Sequence, residues 1–533
     1  MKVNCIPFQE TGYFSKLICD YLNEDQHLEP FFNRLPILQN FDAQIAEKQA
    51  NYDSAHRNVL TSAIERQYVG FNCSEPTRKN IESLSSNTTF TITTGHQLNL
   101  FTGPLYFLYK IISTINLTKK LRQEHPNYNF VPVYWMATED HDFDEINYFN
   151  YRGKKIKWNI NANGAVGRLR TDGLDKVFEV ISQQFGVTTN ASELKSLFEK
   201  SYLEHTNLTD ATRYLANELF GDFGLVIVDG DDSQLKRLLV PFAKKDIFDN
   251  IPHEQVTKSI SALSSVSQTY KIQVNPREIN YFYLKDDLRE RIIEKSGSYY
   301  INTTDLKFSK SGLENELETF PERFSPNVIA RPLYQEVILP NLCYIGGGGE
   351  LAYWLELKAY FDNLGVTFPM LLLRNSALVI REKQYEKMER LDLDSSDLFL
   401  TQTSLVNKKI RKISNIEIDF SSQKRHLEKQ FQELYQIAEE TDKSFLGAVK
   451  AQEVKQKKGL DKLEKRLLKA QKRKLKDHVI RLTELQNVLF PNQSLQERQL
   501  NFSELYLQYG KDLIPQLMEI LDPLANGFLI LRH

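Results

Sequence analysis

Cysteine is scarce in this 533-residue chain and is never paired. Cys5, Cys19, Cys73 and Cys343 lie far apart and form no CxxC pair, so neither a secreted disulfide framework nor a cysteine-based zinc site is expected. The ten histidines include no HExxH motif, which excludes that class of zinc enzyme. We therefore expect a protein of a reducing compartment, with no metal site built on cysteine.

Long apolar runs and an excess of one charge are also missing. The longest apolar stretches, such as residues 131–137 and 370–373, fall far short of the roughly 20 residues that span a bilayer. The N-terminal residues lack the apolar core of a signal peptide. Lys plus Arg number 67 and Asp plus Glu 69, for a formal charge of −2, which gives no global reason to expect nucleic acid or membrane as a partner. These features predict a cytoplasmic protein without a membrane partner.

Glycine and proline are few, at 23 and 18 residues, and apolar residues make up an ordinary 41%. This composition is typical of a globular chain and excludes a fibrous or disordered one. A chain of this length is expected to divide into about two to four domains.

The order of apolar segments predicts an α/β fold. Residues 88–94 are β-branched and short, as in a buried strand, and residues 107–121 follow with helical spacing. Residues 131–136 form a second strand, and residues 225–228 and 370–373 are further candidates. Strand, helix and strand at this spacing make a βαβ unit, which implies a parallel sheet.

Changes of pattern divide the chain into seven segments. They are N-terminal helices with the first half of the core (1–147), a small β-containing insert (148–195), a continuation of the core (196–251), a second insert (252–327), the second half of the core with a glycine run (328–385), a helical coiled-coil arm (386–490) and a C-terminal helical segment (491–533).

Apolar residues recur at roughly heptad spacing from about residue 419 to 490. Gly459 could divide two long helices, and the pattern lapses at residues 471–474. We expect an antiparallel helical hairpin or half of an intermolecular coiled coil. Between Lys455 and Lys476 there are 11 basic residues against two acidic ones, which is typical of a solvated helix face with an acidic partner such as residues 428–442, or of an RNA-binding surface.

The first motif with chemistry is TTGHQLNLFTGPLYFLYK, residues 93–110. It places Gly95, His96 and Gln97 after a parallel strand and before a helix, where such sheets bind ligands. The glycine lets the backbone approach a phosphate, and His96 and Gln97 can donate hydrogen bonds to it. The alternative is a helix-entry turn with a satisfied histidine.

The second motif is Glu139, Asp140, His141 and Asp142, again directly after a strand. Three carboxylates beside a histidine can hold Mg²⁺, orient an amine or supply a general base. The alternative is that these acids cap the next helix.

The third motif joins Arg331 to the run Gly346–Gly349 and Glu350. Glycines that open a helix can present amide N–H groups to a phosphate or carboxylate, and an arginine can clamp an anion. The alternative is a flexible turn, since the run lacks the spacing of a P-loop or Rossmann fingerprint.

Two weaker patterns remain. Asp229, Asp231 and Asp232 end a strand candidate and are best interpreted as a turn. Residues 307–311, KFSKS, are similar to the KMSKS loop of class I aminoacyl-tRNA synthetases, and we interpret this likeness as coincidence.

The chain resembles the bacillithiol-synthesis cysteine-adding enzymes, the BshC family, over nearly its whole length. The resemblance rests on TTGHQLNLFTGPLYF, YWMATEDHDFDEIN, RFSPNVIARPLYQ, ELAYWLELK and LFPNQSLQER. It implies a Rossmann-like core with inserted connecting domains, a coiled-coil arm that makes a homodimer, and the joining of L-cysteine to the amine of glucosaminyl malate.

Site residues follow from the motifs and from this resemblance. The expected catalytic residues are His96, Gln97, Glu139, Asp140, His141 and Asp142. The expected substrate- or nucleotide-binding residues are Gly95, Asn99, Trp135, Asp229, Arg331, Gln335, Gly346, Gly347, Gly348, Glu350 and Tyr353. ATP or another nucleotide is expected to activate cysteine, with Mg²⁺ as a candidate ion. The alternatives are a non-catalytic nucleotide-binding scaffold and a tRNA-binding relative of class I synthetases, although nucleic acid is not the favoured partner.

Overall fold

A computed structural model describes residues 2–532. Within this range the strands are β1 (Lys2–Ile6), β2 (Thr89–His96), β3 (Asn129–Met136), β4 (Tyr148–Tyr151), β5 (Lys154–Lys157), β6 (Val226–Asp229), β7 (Tyr281–Lys285), β8 (Leu288–Lys295), β9 (Ser298–Ile301), β10 (Lys307–Ser309), β11 (Phe324–Pro326), β12 (Asn341–Gly346), β13 (Met370–Leu373), β14 (Ala377–Ile380) and β15 (Phe528–Arg532).

The helices of the same range surround and connect these strands. They are α1 (Lys16–Leu22), α2 (Phe41–Asn51), α3 (Ala55–Gln67), α4 (Glu75–Ser83), α5 (Tyr106–Glu124), α6 (Phe143–Ile146), α7 (Leu174–Gln184), α8 (Thr189–Tyr202), α9 (Leu208–Phe220), α10 (Ser233–Ile247), α11 (Ile251–Val266), α12 (Lys310–Thr319), α13 (Ala330–Ile338), α14 (Gly348–Leu355), α15 (Lys358–Leu364), α16 (Glu382–Arg390), α17 (Gln402–Ile413), α18 (Ser421–Glu439), α19 (Lys443–Lys474), α20 (Lys476–Leu489), α21 (Gln496–Gln499), α22 (Ser503–Tyr509) and α23 (Leu513–Ile520).

The central sheet is parallel, in the order β13-β12-β2-β3-β6. β2, rich in threonine, is buried along its whole length, as expected of a strand covered on both faces. The α5 helix connects β2 to β3, which confirms the βαβ prediction. The expected break at Gly95 is wrong: β2 continues to His96, which pairs with Met136. Gly95 keeps a strand conformation because it still pairs with Trp135 of β3.

Two smaller sheets lie within the predicted inserts. β4 and β5 form a hairpin, and β10-β9-β8-β7-β11 form an antiparallel sheet. A third sheet, β1-β15-β14, joins the first strand to the last one. The C-terminal segment therefore ends in a strand, whereas the sequence pattern indicated helices alone. A single short apolar run does not reveal partners that lie hundreds of residues away.

The arm is an antiparallel hairpin of α18 and α19. Lys424 lies 3.2 Å from Glu464 and Lys457 lies 2.9 Å from Glu428, so positions pair in opposite directions along the two helices. The expected division at Gly459 is wrong because Gly459 lies inside α19. One interior glycine costs a helix only about 1 kcal/mol, whereas Asp442 actively starts α19 by accepting hydrogen bonds from two backbone N–H groups.

The lapse of the heptad pattern at residues 471–474 coincides with a helix boundary. α19 ends at Lys474 and α20 begins at Lys476.

Among the helices of residues 2–532, none combines the length and the apolar character that crossing a bilayer requires.

Candidate functional site

A cavity of about 710 Å³ lies at the carboxyl ends of the parallel strands. β2, β3, β12 and β13 lead into its wall, and the antiparallel sheet of the second insert forms another side through β7 and β8. This is the place where open parallel α/β sheets bind ligands.

Twelve of the predicted residues lie together in the cavity wall. They are Gly95, His96, Gln97, Trp135, Glu139, Asp140, His141, Asp142, Arg331, Gly347, Glu350 and Tyr353. The carboxyl ends of neighbouring parallel strands meet at one edge of a sheet, so residues from separate motifs are brought together there.

The other five predicted residues lie outside this wall. Asn99 and Gly348 line smaller neighbouring cavities. Gln335 is buried behind Arg331, and Asp229 is half-buried at the end of β6 beside β3, where its carboxylate accepts a hydrogen bond from the Thr138 hydroxyl. Gly346 ends β12, where a Cβ atom would meet Leu351 at 2.8 Å.

His96 is a neutral imidazole in this structure. Burial, with the nearby charge of Lys110, lowers the pKa of His96 to about 3, so the ring carries no charge near neutral pH. The following turn is strained, with φ of +48° at Phe101 and +67° at Thr102. Asn501 holds this turn by donating to the carbonyls of Phe101 and Gly103, each at 2.7 Å. Backbone strain of this kind persists only where the surrounding structure enforces it.

The carboxylates after β3 have different partners. Lys236 lies 2.6 Å from Glu139, and Asp140 accepts a hydrogen bond from Gln97 Nε2 at 2.9 Å. Burial by itself would raise the pKa of Asp140, but hydrogen bonds from His141 and Gln97 hold it below its usual range. Burial raises the pKa of Glu139 despite Lys236. Asp140 is therefore the more firmly ionised carboxylate of the two.

The alternative interpretation, that these acids cap the next helix with their side chains, is wrong for this acidic cluster. Asp142 occupies the N-cap position of the short helix α6, but its side chain accepts no capping hydrogen bond. Its carboxylate instead lies 3.7 Å from His141 Nε2. Capping does describe Asp232, which accepts from the N–H groups of Gln234 and Leu235 at the start of α10.

Asp140, His141 and Asp142 could together hold a metal ion, since one ligand atom from each lies within 4.8 Å of the others. Arg289 competes for the same place, because its guanidinium lies 2.8 Å from His141 Nδ1. The two carboxylates suit Mg²⁺, which prefers oxygen ligands.

Glu350 organises the glycine run at the start of α14. Its carboxylate accepts from the Gly347 N–H at 2.8 Å and from the Tyr344 hydroxyl at 2.8 Å, and it lies 2.5 Å from Lys110 Nζ. The Lys110 ammonium also donates to the Gly95 carbonyl at 2.7 Å. Glu350 therefore ties β2, α5 and the glycine run together, and its charge is offset inside the protein.

Arg331 has only neutral partners among residues 2–532. Its guanidinium donates to Gln335 Oε1 and to the Tyr353 hydroxyl, each at 3.2 Å. Burial alone would lower the pKa of Arg331, but Tyr353, Tyr344 and Glu350 raise it overall. The group stays charged at the cavity wall, where an anionic ligand would supply the missing counter-charge.

Sequence reasoning missed several basic residues of the wall. Lys110 ends the first motif, Arg374 directly follows β13, and Arg498 ends the string LFPNQSLQER. Arg374 could have been found as a strand-end residue, by the reasoning used for the other strands. Arg289 and Arg291 come from β8, and their sequence carries no signal that this insert folds over the sheet.

The KFSKS stretch lies elsewhere. It forms β10 and the start of α12 at the edge of the insert sheet, and none of its residues lines the cavity.

In the basic run, Lys457 pairs with Glu428 and Glu453 of the arm, in keeping with a solvated face that has an acidic partner.

The fold and the cavity define a Rossmann-like α/β protein with a cavity at the carboxyl edge of its sheet. The family model for the BshC N-terminal Rossmann-like domain of bacillithiol biosynthesis matches residues 1–375, and that for the BshC C-terminal coiled-coil domain matches residues 377–533. The chain belongs to the BshC family.

Relatives from several bacteria are similar to this chain over their whole length. A "Putative cysteine ligase BshC" from Christiangramia forsetii is 60% identical over 100% of this chain and 99% of that protein. One from Flavobacterium johnsoniae is 57% identical over 100% of both chains. A crystal structure described as a "putative arginyl T-RNA synthetase" from Campylobacter jejuni matches 85% of this chain and 100% of that one, with 10% identity and a TM-score of 0.21, too low for any inference.

Proposed function

We propose that this protein is a cysteine ligase that joins L-cysteine to the amine of glucosaminyl malate, after a nucleotide has activated the cysteine carboxylate. The observation that carries the proposal is the joint presence, in one cavity, of ionised Asp140 and of Arg331 without a carboxylate partner among residues 2–532. Relatives of up to 60% identity that are named as cysteine ligases support it.

Activation is needed because a carboxylate oxygen is a poor leaving group. ATP or another nucleotide would transfer a phosphorus-containing group to that oxygen. Arg331, Arg498 and the N–H groups that open α14 would bind the anionic groups of the reactants, and their charge would be worth most where water is excluded. His96 contributes no positive charge to this step, because its imidazole is neutral.

The second step forms the amide. The glucosamine nitrogen attacks the activated carbonyl carbon, the new C–N bond forms, and the C–O bond to the phosphate leaving group breaks. Asp140 and Asp142 would orient the amine, and His141, which lies between them, would accept its proton. Holding both reactants in one cavity converts an encounter in solution into a local step.

Magnesium would fit the same carboxylates. Asp140 and Asp142 would hold the ion, and the ion would supply positive charge to nucleotide phosphates when it is bound. Arg289 would then have to move away from His141, because its guanidinium lies 2.8 Å from His141 Nδ1.

Mass spectrometry of thiols in a strain lacking this protein tests the proposal. We expect glucosaminyl malate to accumulate, bacillithiol to be absent, and the wild-type chain to restore it. Arg331→Gln should lower bacillithiol formation by about 100-fold, as for loss of one preorganised charge-stabilising group. Lys310→Gln, an exposed change in the KFSKS stretch, should restore it fully. Normal bacillithiol without the protein would reject the proposal.

The same strain and variants distinguish the proposal from the two alternatives, a non-catalytic scaffold and a tRNA-binding protein. If the protein were a non-catalytic scaffold, it would bind nucleotide, and the Arg331→Gln variant would restore bacillithiol as well as the wild-type chain does. A tRNA-binding protein would retain RNA on a filter with a steep dependence on salt, and we expect no such retention.

A further inference from the structure

A small chamber lies behind His96, separate from the substrate cavity but sharing His96 and Gln97 with its wall. We call it the back chamber. It offers about 10 Å³ to a water-sized sphere, and it lies between the strained turn after β2 and the helix α9. Its lining residues are His96, Gln97, Asn99, Thr102, Phe107, Tyr134, Thr212, Leu215 and Ala216.

Four lining residues each hold a buried polar atom that has no hydrogen-bond partner within residues 2–532. These atoms are His96 Nε2, Asn99 Oδ1, Thr102 Oγ1 and Thr212 Oγ1. Burying a polar group without a partner costs about 1–3 kcal/mol, so buried polar atoms in proteins are normally satisfied. Four such atoms around one small space point to a ligand that satisfies them together.

We propose that the back chamber binds one water molecule, and that this water holds His96 as the tautomer with its proton on Nδ1. The chamber has the room that one buried water needs, and such waters make about 2–4 hydrogen bonds. The donors and acceptors also balance. The Thr102 and Thr212 hydroxyls donate to the water, and the water donates its two protons to His96 Nε2 and Asn99 Oδ1.

The other ring nitrogen has a role consistent with this tautomer. A hydrogen bond with the Thr102 backbone favours the protonated ring, as expected when the imidazole N–H donates to a carbonyl. His96 is then held from two sides, at one ring nitrogen by the Thr102 backbone and at the other through water. His96 would therefore position the Gly95–Gln97 segment, and it would not donate from Nε2 to a phosphate.

Thr212 becomes a positioning residue that acts through His96. It lies on α9 and contributes to the back chamber, and it is absent from the wall of the substrate cavity. This inference does not depend on the proposed reaction, because the water and the tautomer can be observed without substrate.

A crystal structure of the full chain at about 1.5 Å resolution, together with ¹⁵N NMR of the histidine side chains, tests the inference. We expect one ordered water within hydrogen-bond distance of the four atoms, and a His96 resonance typical of an unprotonated Nε2. The resonance is assigned from its loss in His96→Asn. A dry chamber, a bound ion in place of water, or a proton on Nε2 would each overturn the inference.

Thr212→Val supplies the functional readout, with Thr89→Val as the matched control. Thr89 lies at the other end of β2, and its buried hydroxyl also lacks a partner in the described chain. Thr212→Val should weaken or empty the water position, shift the His96 ¹⁵N resonance and lower kcat by about three- to tenfold with KM within about twofold, as for one lost hydrogen bond. Thr89→Val should leave all three unchanged. An unmoved His96 resonance in a folded Thr212→Val protein would contradict the role of Thr212.

Discussion

At the scale of single residues, two guanidinium groups of the same cavity differ in what balances their charge. Arg374 lies 2.7 Å from the carboxylate of Glu497, which is fully buried. Within residues 2–532, Arg331 donates only to an amide oxygen and a hydroxyl. The charge of Arg374 is therefore neutralised by an ion pair inside the protein, whereas the charge of Arg331 remains available to an anionic ligand.

This difference predicts opposite effects on stability. Glu497→Gln leaves the buried Arg374 without its counter-charge and should lower the free energy of unfolding by about 3–5 kcal/mol. Arg331→Gln removes a half-buried cation that has no carboxylate partner in the described chain, and it should be neutral or stabilising. Urea unfolding of both variants measures this. Equal losses of stability would contradict the assignment of Arg331 to a ligand.

Asp246 predicts a dependence of stability on pH. Burial raises the pKa of Asp246 from its ordinary 3.8 to about 8, although the Asn280 N–H donates to its carboxylate at 2.8 Å. Between these two values the folded chain binds one proton more than the unfolded chain, so stability falls as pH rises, by about 1.4 kcal/mol per pH unit.

Asp246→Asn should remove this contribution. Its amide oxygen can still accept from Asn280, and the group no longer ionises. Chemical unfolding at pH 5, 6 and 7 should show the variant gaining on the wild-type chain as pH rises. Parallel pH profiles of the two proteins would show that Asp246 titrates normally.

At the scale of elements, α19 runs through Gly459 without a break. A Cβ atom at Gly459 would meet nothing within 4 Å, and the residue has no positive φ. Gly459→Ala should therefore raise the free energy of unfolding of the arm by about 0.5–1 kcal/mol.

Gly365→Ala is the matched contrast. Gly365 also has open space around it, but it ends α15 with φ of +68°, so alanine there should destabilise the protein. Thermal unfolding followed by circular dichroism compares the two. A loss of stability in Gly459→Ala would indicate a helix break at that position.

The loop between α11 and β7 forms part of the cavity wall, and the carboxylate of Glu356 holds two of its backbone N–H groups. Glu356 accepts from the N–H of Gln273 at 2.8 Å and of Val274 at 3.1 Å. Burial raises the pKa of Glu356 to about 7, so the anchor carries its full charge only above neutral pH.

Glu356→Ala should release this loop. Hydrogen exchange at Gln273 and Val274, measured by mass spectrometry, should quicken by at least about tenfold, because two hydrogen bonds to a carboxylate are lost. Glu278→Gln, an exposed change in the same loop, should leave the exchange as it is. Unchanged exchange in Glu356→Ala would show that other contacts hold the loop.

At the scale of the whole molecule, the arm leaves apolar side chains uncovered. Phe431, Ala438 and Val449 pack inside the hairpin, but Ile437 and Leu463 remain 54% and 52% exposed. We expect these uncovered side chains to pack against a second copy, which makes a homodimer.

Replacing Ile437 and Leu463 together by glutamate should convert the dimer to a 62.0 kDa monomer in size-exclusion chromatography with light scattering. Val187→Glu, at a position 95% exposed outside the arm, should remain dimeric. A wild-type chain that is already monomeric would refute the expectation.

Local patterns in the sequence determined much of this protein. Alternation of strands and helices predicted the parallel sheet, the heptads predicted the arm, and strand ends predicted that His96 and Asp140 share an edge. These features depend on neighbours along the chain or on the general rule that parallel strands end together, so a pattern within each segment suffices.

Only the tertiary structure decided which charges remain free. Lys110 offsets Glu350, Lys236 offsets Glu139, and Glu497 offsets Arg374, and each pairing joins segments that are distant in the sequence. Burial also keeps the His96 imidazole neutral, and the folded chain forms the back chamber beside it. Such pairings depend on distances across the folded chain, which spacing along the sequence does not contain. The residue types at this site were therefore readable from the sequence, but their charge states and partners were not.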